Sequence, residues 1–91
     1  MGTVTFKATF PPGDGTIAIV IDGAATLNFN ADGQQDVQLD AGSHEYSASG
    51  AAPASGGNIR LDISGDVIAA SPRFYGPRVF PPDDNTIEVT S

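Results

Sequence analysis

Apolar and polar residues alternate with a period of two along most of this chain. From Thr3 to Phe10, Val4, Phe6, Ala8 and Phe10 fall on one face and Thr3, Thr5, Lys7 and Thr9 on the other, which predicts a half-buried strand. Pro11-Pro12-Gly13-Asp14-Gly15 then interrupts pairing, because proline has no N–H and glycine accepts positive φ. A second strand follows over Thr16 to Asp22. Ile17, Ile19 and Ile21 share one of its faces, and Ala18 and Val20 make the other apolar as well, which places it centrally.

Asp22-Gly23 is a two-residue turn signal leading to a strand around Ala25 to Asn30, with Leu27 and Phe29 opposite Asn28 and Asn30. Asp32-Gly33 turns the chain into Gln35 to Asp40, carrying Val37 and Leu39, and Ala41-Gly42 delivers it into His44 to Ser49. This order predicts two local hairpins. Gly50 to Gly57 reads as a loop of small residues, after which Ile59, Leu61 and Ile63 alternate with Arg60 and Asp62. Past a Gly65-Asp66 turn, Val67 to Ser71 reads as a short edge strand. Pro72, Pro77, Pro81 and Pro82 predict an irregular stretch, and Asn85 to Thr90 closes the chain with Ile87 and Val89 inward. About seven strands at turn spacings of about ten residues predict an all-β fold, a small antiparallel β-sandwich of Ig-like or prealbumin-like type. No solenoid repeat and no sustained helical period interrupts this pattern.

Composition narrows the picture. The 91 residues fit one domain, with 40% hydrophobic residues, eleven glycines and seven prolines, too apolar for general disorder and too rich in turn residues for a helical bundle. Eleven acidic residues against four basic ones give a net charge of -7, which repels phosphate backbones and anionic headgroups and excludes nucleic acid as an expected partner. With no cysteine there are no disulfides, thiolate nucleophiles or iron–sulfur clusters. No apolar run approaches the ~20 residues of a membrane span, so membrane insertion is not expected.

The stretch Ile19-Val20-Ile21-Asp22-Gly23, followed by Val37-Gln38-Leu39-Asp40-Ala41-Gly42-Ser43-His44-Glu45-Tyr46 and then Gly50, resembles the pattern of bacterial PEGA-type, carboxypeptidase-regulatory and Ig-like modules. The Pro-Gly-Ala segment that precedes the Asp-Gly strand in that pattern is replaced here by Pro11-Pro12-Gly13-Asp14-Gly15. The resemblance implies a small β-sandwich, residues 1–91, belonging to a larger envelope or secreted protein and acting outside the cell or in its envelope.

Catalytic constellations are not legible. His44 is the single histidine, reads as an exposed strand residue, and has no Gly-x-Ser-x-Gly turn to serve. Most carboxylates, including Asp22, Asp32, Asp40 and Asp66, sit in turns, where Asp is favoured for its own backbone hydrogen bonds. Asn28-x-Asn30-x-Asp32-Gly33 starts like a calcium loop, but Leu39 stands where a bidentate Glu is needed; Asp83-Asp84-Asn85 reads as a turn opening the last strand. No metal, cofactor or enzymatic activity is expected.

The segment Arg73-Phe74-Tyr75-Gly76-Pro77-Arg78-Val79-Phe80 is the best binding candidate. It combines two of the four basic residues with three aromatic ones, and Arg and Tyr are enriched at interface hot spots. Two readings stand: Phe74 and Phe80 cap the open end of the sandwich while Tyr75 hydrogen-bonds inward, or Arg73, Tyr75 and Arg78 are its exposed contacts. The expectation is a monomeric accessory module that meets a protein partner or neighbouring domains. The alternative is a carbohydrate-binding module in which Tyr75 stacks on a sugar, a reading weakened by the absence of tryptophan.

Overall fold

The computed structural model describes residues 2–12, 15–23, 25–52, 57–69, 71–76 and 79–90. Among them are nine strands: β1 (Gly2–Thr9), β2 (Thr16–Ile21), β3 (Ala25–Phe29), β4 (Gly33–Leu39), β5 (Gly42–Ala51), β6 (Ile59–Gly65), β7 (Val67–Ile68), β8 (Arg73–Tyr75) and β9 (Val79–Val89). They form two antiparallel sheets, one ordered β4-β1-β6-β8 and the other β3-β2-β5-β9-β7. The protein is an all-β sandwich, as the alternation predicts.

Period-two patterning builds the layer between the sheets. Val4, Phe6 and Ala8 from β1 and Ile59, Leu61 and Ile63 from β6 are buried against Ile17, Ile19 and Ile21 from β2, Tyr46 and Ala48 from β5, and Ile87 and Val89 from β9. Burying each large apolar side chain is worth ~1.5–3 kcal/mol. Phe6 meets Tyr46 across the layer edge-to-face, with ring centroids 5.8 Å apart and planes at 72°, the geometry that brings the positive rim of one ring to the negative face of the other. Strand β2 lies between β3 and β5, as its two apolar faces predict.

Connectivity departs from the sequence reading. The β2–β3 hairpin forms, but its register pairs Ile21 with Ala25, so its connection is residues 22–24 rather than two residues. A second hairpin does not form: β4 pairs with β1 along its length, from Gly2↔Leu39 to Ala8↔Gly33, and β5 pairs with β2 and β9. The turn signals at Asp32-Gly33 and Ala41-Gly42 are corners between sheets. At the first corner the Asp32 carboxylate accepts the N–H of Phe10 at 2.7 Å, which ties the crossover to the end of β1.

The later strands are also redistributed. Val67 to Ser71 is not one edge strand. Only Val67 and Ile68 pair, with Val89 and Glu88, while the Ser71 hydroxyl accepts the Ile63 N–H at 2.9 Å in the other sheet. The stretch expected to be irregular contains β8 and the first half of β9. Proline is accommodated there because the β5–β9 register breaks between Ala48↔Asp83 and Gly50↔Phe80, so that Pro81 and Pro82 fall in a bulge opposite Ser49.

One residue, Asp66, carries the chain from β6 in one sheet to β7 in the other. Its N–H donates to the Thr3 carbonyl at 2.9 Å, its carbonyl accepts the Thr90 N–H at 2.9 Å, and its carboxylate accepts the Thr3 N–H at 3.1 Å. Gly65 precedes it at φ 102°, and a Cβ there would collide with the Thr3 carbonyl oxygen. Both conditions demand glycine.

Two substitutions test this packing by urea denaturation. Phe6→Ala is expected to destabilise the domain by ~3–5 kcal/mol, through lost burial and the cavity left behind. Gly65→Ala is expected to cost at least ~1 kcal/mol without deleting any contact, because the positive φ and the carbonyl collision act together.

Candidate functional site

Strand pairing fixes where the binding candidates lie. In β8, Arg73 stands opposite Leu61, Phe74 opposite Arg60 and Tyr75 opposite Ile59. Leu61 and Ile59 face the core, so alternation turns Arg73 and Tyr75 inward and Phe74 outward. Tyr75 is accordingly 6% exposed and Phe74 59% exposed. Tyr75 therefore follows the inward reading and is not an exposed contact, and the expectation of an inward-capping Phe74 is corrected. Arg78 lies outside the described residues.

Arg73 and Tyr75 join the two sheets at their β8–β9 side. The Tyr75 ring stacks on Phe80 with centroids 5.1 Å apart and planes at 24°. Arg73 Nε donates to the Tyr75 hydroxyl at 3.3 Å, and Arg73 Nη2 donates to Asp83 Oδ2 at 3.2 Å. Asn85 Nδ2 donates to the same Asp83 oxygen at 2.8 Å. Donation from Asn85, helped by Tyr75 and by the Arg73 charge, holds the Asp83 carboxyl below its usual range, against the opposing effect of burial. Burial pushes the Tyr75 and Tyr46 phenols up. The ion pair is partly open to solvent, at 30% and 41% side-chain exposure, so its own contribution is at most ~1 kcal/mol. Its geometric effect is larger, since it fixes the edge of one sheet to the other.

This side presents apolar side chains to solvent, beside the exposed Arg60 that stands opposite Phe74. Among the described residues the exposed large hydrophobic side chains are Phe74, Val79 at 79% and Ile68 at 68%. Phe74 and Val79 flank the 76–78 connection, and Ile68 lies further along β9, beside Glu88. The sequence held the signal for Phe74, because extending the alternation of Ile59, Leu61 and Ile63 to a paired neighbour turns the middle residue of Arg73-Phe74-Tyr75 outward.

The calcium-like positions, where no metal is expected, are engaged in part. Asp32 holds the Phe10 N–H, and the Asn28 carbonyl accepts Gln35 Nε2 at 3.2 Å. Asp83-Asp84-Asn85 is strand rather than turn, with Asp83 and Asn85 half-buried and Asp84 exposed. Among the described residues no three His, Cys, Asp or Glu side chains converge as a metal site.

The sequence missed a polar cluster at one end of the sandwich. His44 shares the inward face of β5 with Tyr46 and Ala48, and its side chain is 15% exposed rather than free on the surface. Its Nδ1 lies 2.6 Å from Asp22 Oδ2 and its Nε2 lies 2.7 Å from the Asp40 carbonyl oxygen. Both contacts are acceptors. A neutral imidazole has one N–H and satisfies one of them, whereas the imidazolium satisfies both. The other Asp22 oxygen accepts the Glu45 N–H at 3.0 Å, and Asp22 adopts φ 53°, which Asp tolerates. The cluster thus links the β2–β3 turn, the β4–β5 turn and β5. Hydrogen bonds to Asp22 and Asp40, aided by the Asp22 and Asp40 charges, raise the His44 pKa from 6.5 against desolvation, and donation from His44 and Glu45 lowers that of Asp22 from 3.8. With both nitrogens committed, His44 is not placed to take a proton from a serine.

The linkage runs in both directions. A raised histidine contributes stability in full below 6.5 and loses it as pH rises through its folded value, and a lowered Asp contributes above 3.8 and loses it as pH falls through its own. The stability difference between the wild type and His44→Gln is therefore expected to be greatest between these two values and to shrink at higher pH. Urea midpoints across pH 4–9 measure it, with the His44 ring titration followed by NMR.

Comparison with family models, with curated proteins and with solved structures gives no match for this chain.

Proposed function

We propose that this domain is a non-catalytic accessory module of an envelope or secreted protein, and that it works as a protein-contact surface. The observation that carries the reading is the chemistry of the β8–β9 side. Phe74 and Val79 stand more than half exposed around a short connection, on a base that Arg73, Tyr75, Phe80 and Asp83 fasten to both sheets. A rigid mount with outward apolar side chains loses little entropy on binding a partner. The resemblance to PEGA-type modules supports the same class and the same extracytoplasmic setting.

One observation favours a carbohydrate reading, at a different place from the Tyr75 loop. Thr16, Ala18, Asn28, Asn30 and Ser49 line a hollow of about 320 Å³ on the outer face of β2, β3 and β5. Its described lining is uncharged, with carboxamides and hydroxyls over a small apolar floor, a composition suited to a neutral hydroxylated ligand.

A photo-crosslinking amino acid at position 74, with position 26 as control, separates the readings in cells producing the whole parent protein. Protein adducts at position 74 alone are expected. Absence of adducts at 74, together with amide shifts at Thr16, Asn28 and Ser49 in a titration with neutral glycans, would favour the carbohydrate reading.

A further inference from the structure

A sheet edge is a row of unpaired N–H and C=O groups, and folded proteins shield such edges with short strands, proline, bulges, charge or covering groups. Three of the edges in this sandwich are shielded in these ways. β8 has three residues and β7 two. The flank of β9 beyond β7 carries Pro81, Pro82 and the bulge opposite Ser49. The five-residue β3 has its Asn28 carbonyl taken by the Gln35 side chain reaching across from β4.

The fourth edge, β4, is neither short nor bulged, and its one charged residue is Asp36. All seven residues from Gly33 to Leu39 pair with β1 in unbroken register, and no strand lies on the other flank among the described residues. It contains neither proline nor lysine, and Gly33, Gln34, Gln35, Asp36 and Gln38 are exposed. We propose that the free flank of β4 is a strand-addition site for an extended segment of another protein in which apolar residues alternate with Lys or Arg.

The alternation follows from the two faces of β4. Val37 and Leu39 are half-buried and pack against the core, so an added strand meets them with apolar residues on its inward face. On the outward face lies Asp36, fixed by a 2.7 Å hydrogen bond from the Thr5 hydroxyl, with Gln34 and Gln38 beside it. Exposed Asp32 and Asp40 stand just beyond the two ends. Lys7 is one strand further in, opposite Gln34. Basic residues on the outward face of the incoming strand complement this row, and the net charge of -7 steers such a segment towards the domain. A second copy of the chain is disfavoured by the same charge and by the antiparallel approach, which brings Asp36 close to its own counterpart. The site lies on the side opposite β8 and β9 and stands independently of the contact surface proposed there.

The test uses the heptapeptide Lys-Val-Lys-Val-Lys-Val-Lys, acetylated and amidated, with amide hydrogen exchange of the domain read by NMR. Addition of the peptide is expected to slow exchange of amides within 33–39 by about tenfold or more at saturation, with the β8–β9 side unchanged. Glu-Val-Glu-Val-Glu-Val-Glu is expected not to bind, and Lys-Pro-Lys-Pro-Lys-Pro-Lys, equally charged but unable to pair, to give no protection. Asp36→Lys is expected to weaken the basic peptide about two- to fivefold and leave the unfolding midpoint near that of the wild type. Three results would overturn the proposal: no protection in 33–39, protection by the proline peptide equal to that by the valine peptide, or concentration-dependent dimerisation that protects 33–39 without any peptide. Crosslinking at position 74 bears on the other side of the domain, so either proposal can fail alone.

Discussion

The structure depends on the apolar layer shared by its two sheets. Of the eight steps between consecutive strands, only β2 to β3 stays within one sheet. Apart from that hairpin, neither sheet is assembled from neighbours in sequence, so neither has much standing alone: β1 finds β4 and β6, and β5 finds β2 and β9, across long separations. The loop-closure entropy of those pairings is offset by burial of Val4, Phe6, Ile19, Leu61 and Ile87 between the sheets. An aromatic pair, Phe6 with Tyr46, meets at the centre of that layer.

Polar groups work at the margins of this layer. Asp66, Asp32 and Asp22 each use a carboxylate to accept a backbone N–H at a corner or strand end, converting turn residues into ties between distant segments. At the β8–β9 side Arg73, Asp83 and Asn85 form a tie between side chains, and at one end His44 bridges Asp22 and the Asp40 carbonyl. Among the described residues no polar or charged residue is fully buried, so these ties stay close to water and their individual energies are modest. Their effect is on which edges and turns are held in place.

The margins also give the two sides of the sandwich different characters. On the β8–β9 side, an internal network frees Phe74 and Val79 to face outward. On the β3–β4 side, Gln35 occupies β3 and leaves the flank of β4 uncovered. Strand length and proline placement thus differ between the two sides.

The sequence by itself determined the fold class, most strand positions and nearly all of the core, because burial on one face of a strand imposes a period of two that is readable residue by residue at Val4 to Ala8, Ile17 to Ile21 and Ile59 to Ile63. It also located β2 between two neighbours. Apart from the β2–β3 hairpin, tertiary structure alone decided which strands are partners. Asp32-Gly33 and Ala41-Gly42 specify that the chain bends, but a bend has no information about the sheet in which the next strand finds its hydrogen bonds. The same limit misplaced the candidate residues of the Arg73–Phe80 segment. Arg73, Phe74 and Tyr75 look like a loop beside Pro72 and Pro77, and only the register Ile59↔Tyr75 and Leu61↔Arg73 turns them into a strand that buries Tyr75 and exposes Phe74. His44 was unreadable for a related reason: its two acceptors, Asp22 and the Asp40 carbonyl, come from turns that meet only when both sheets are folded.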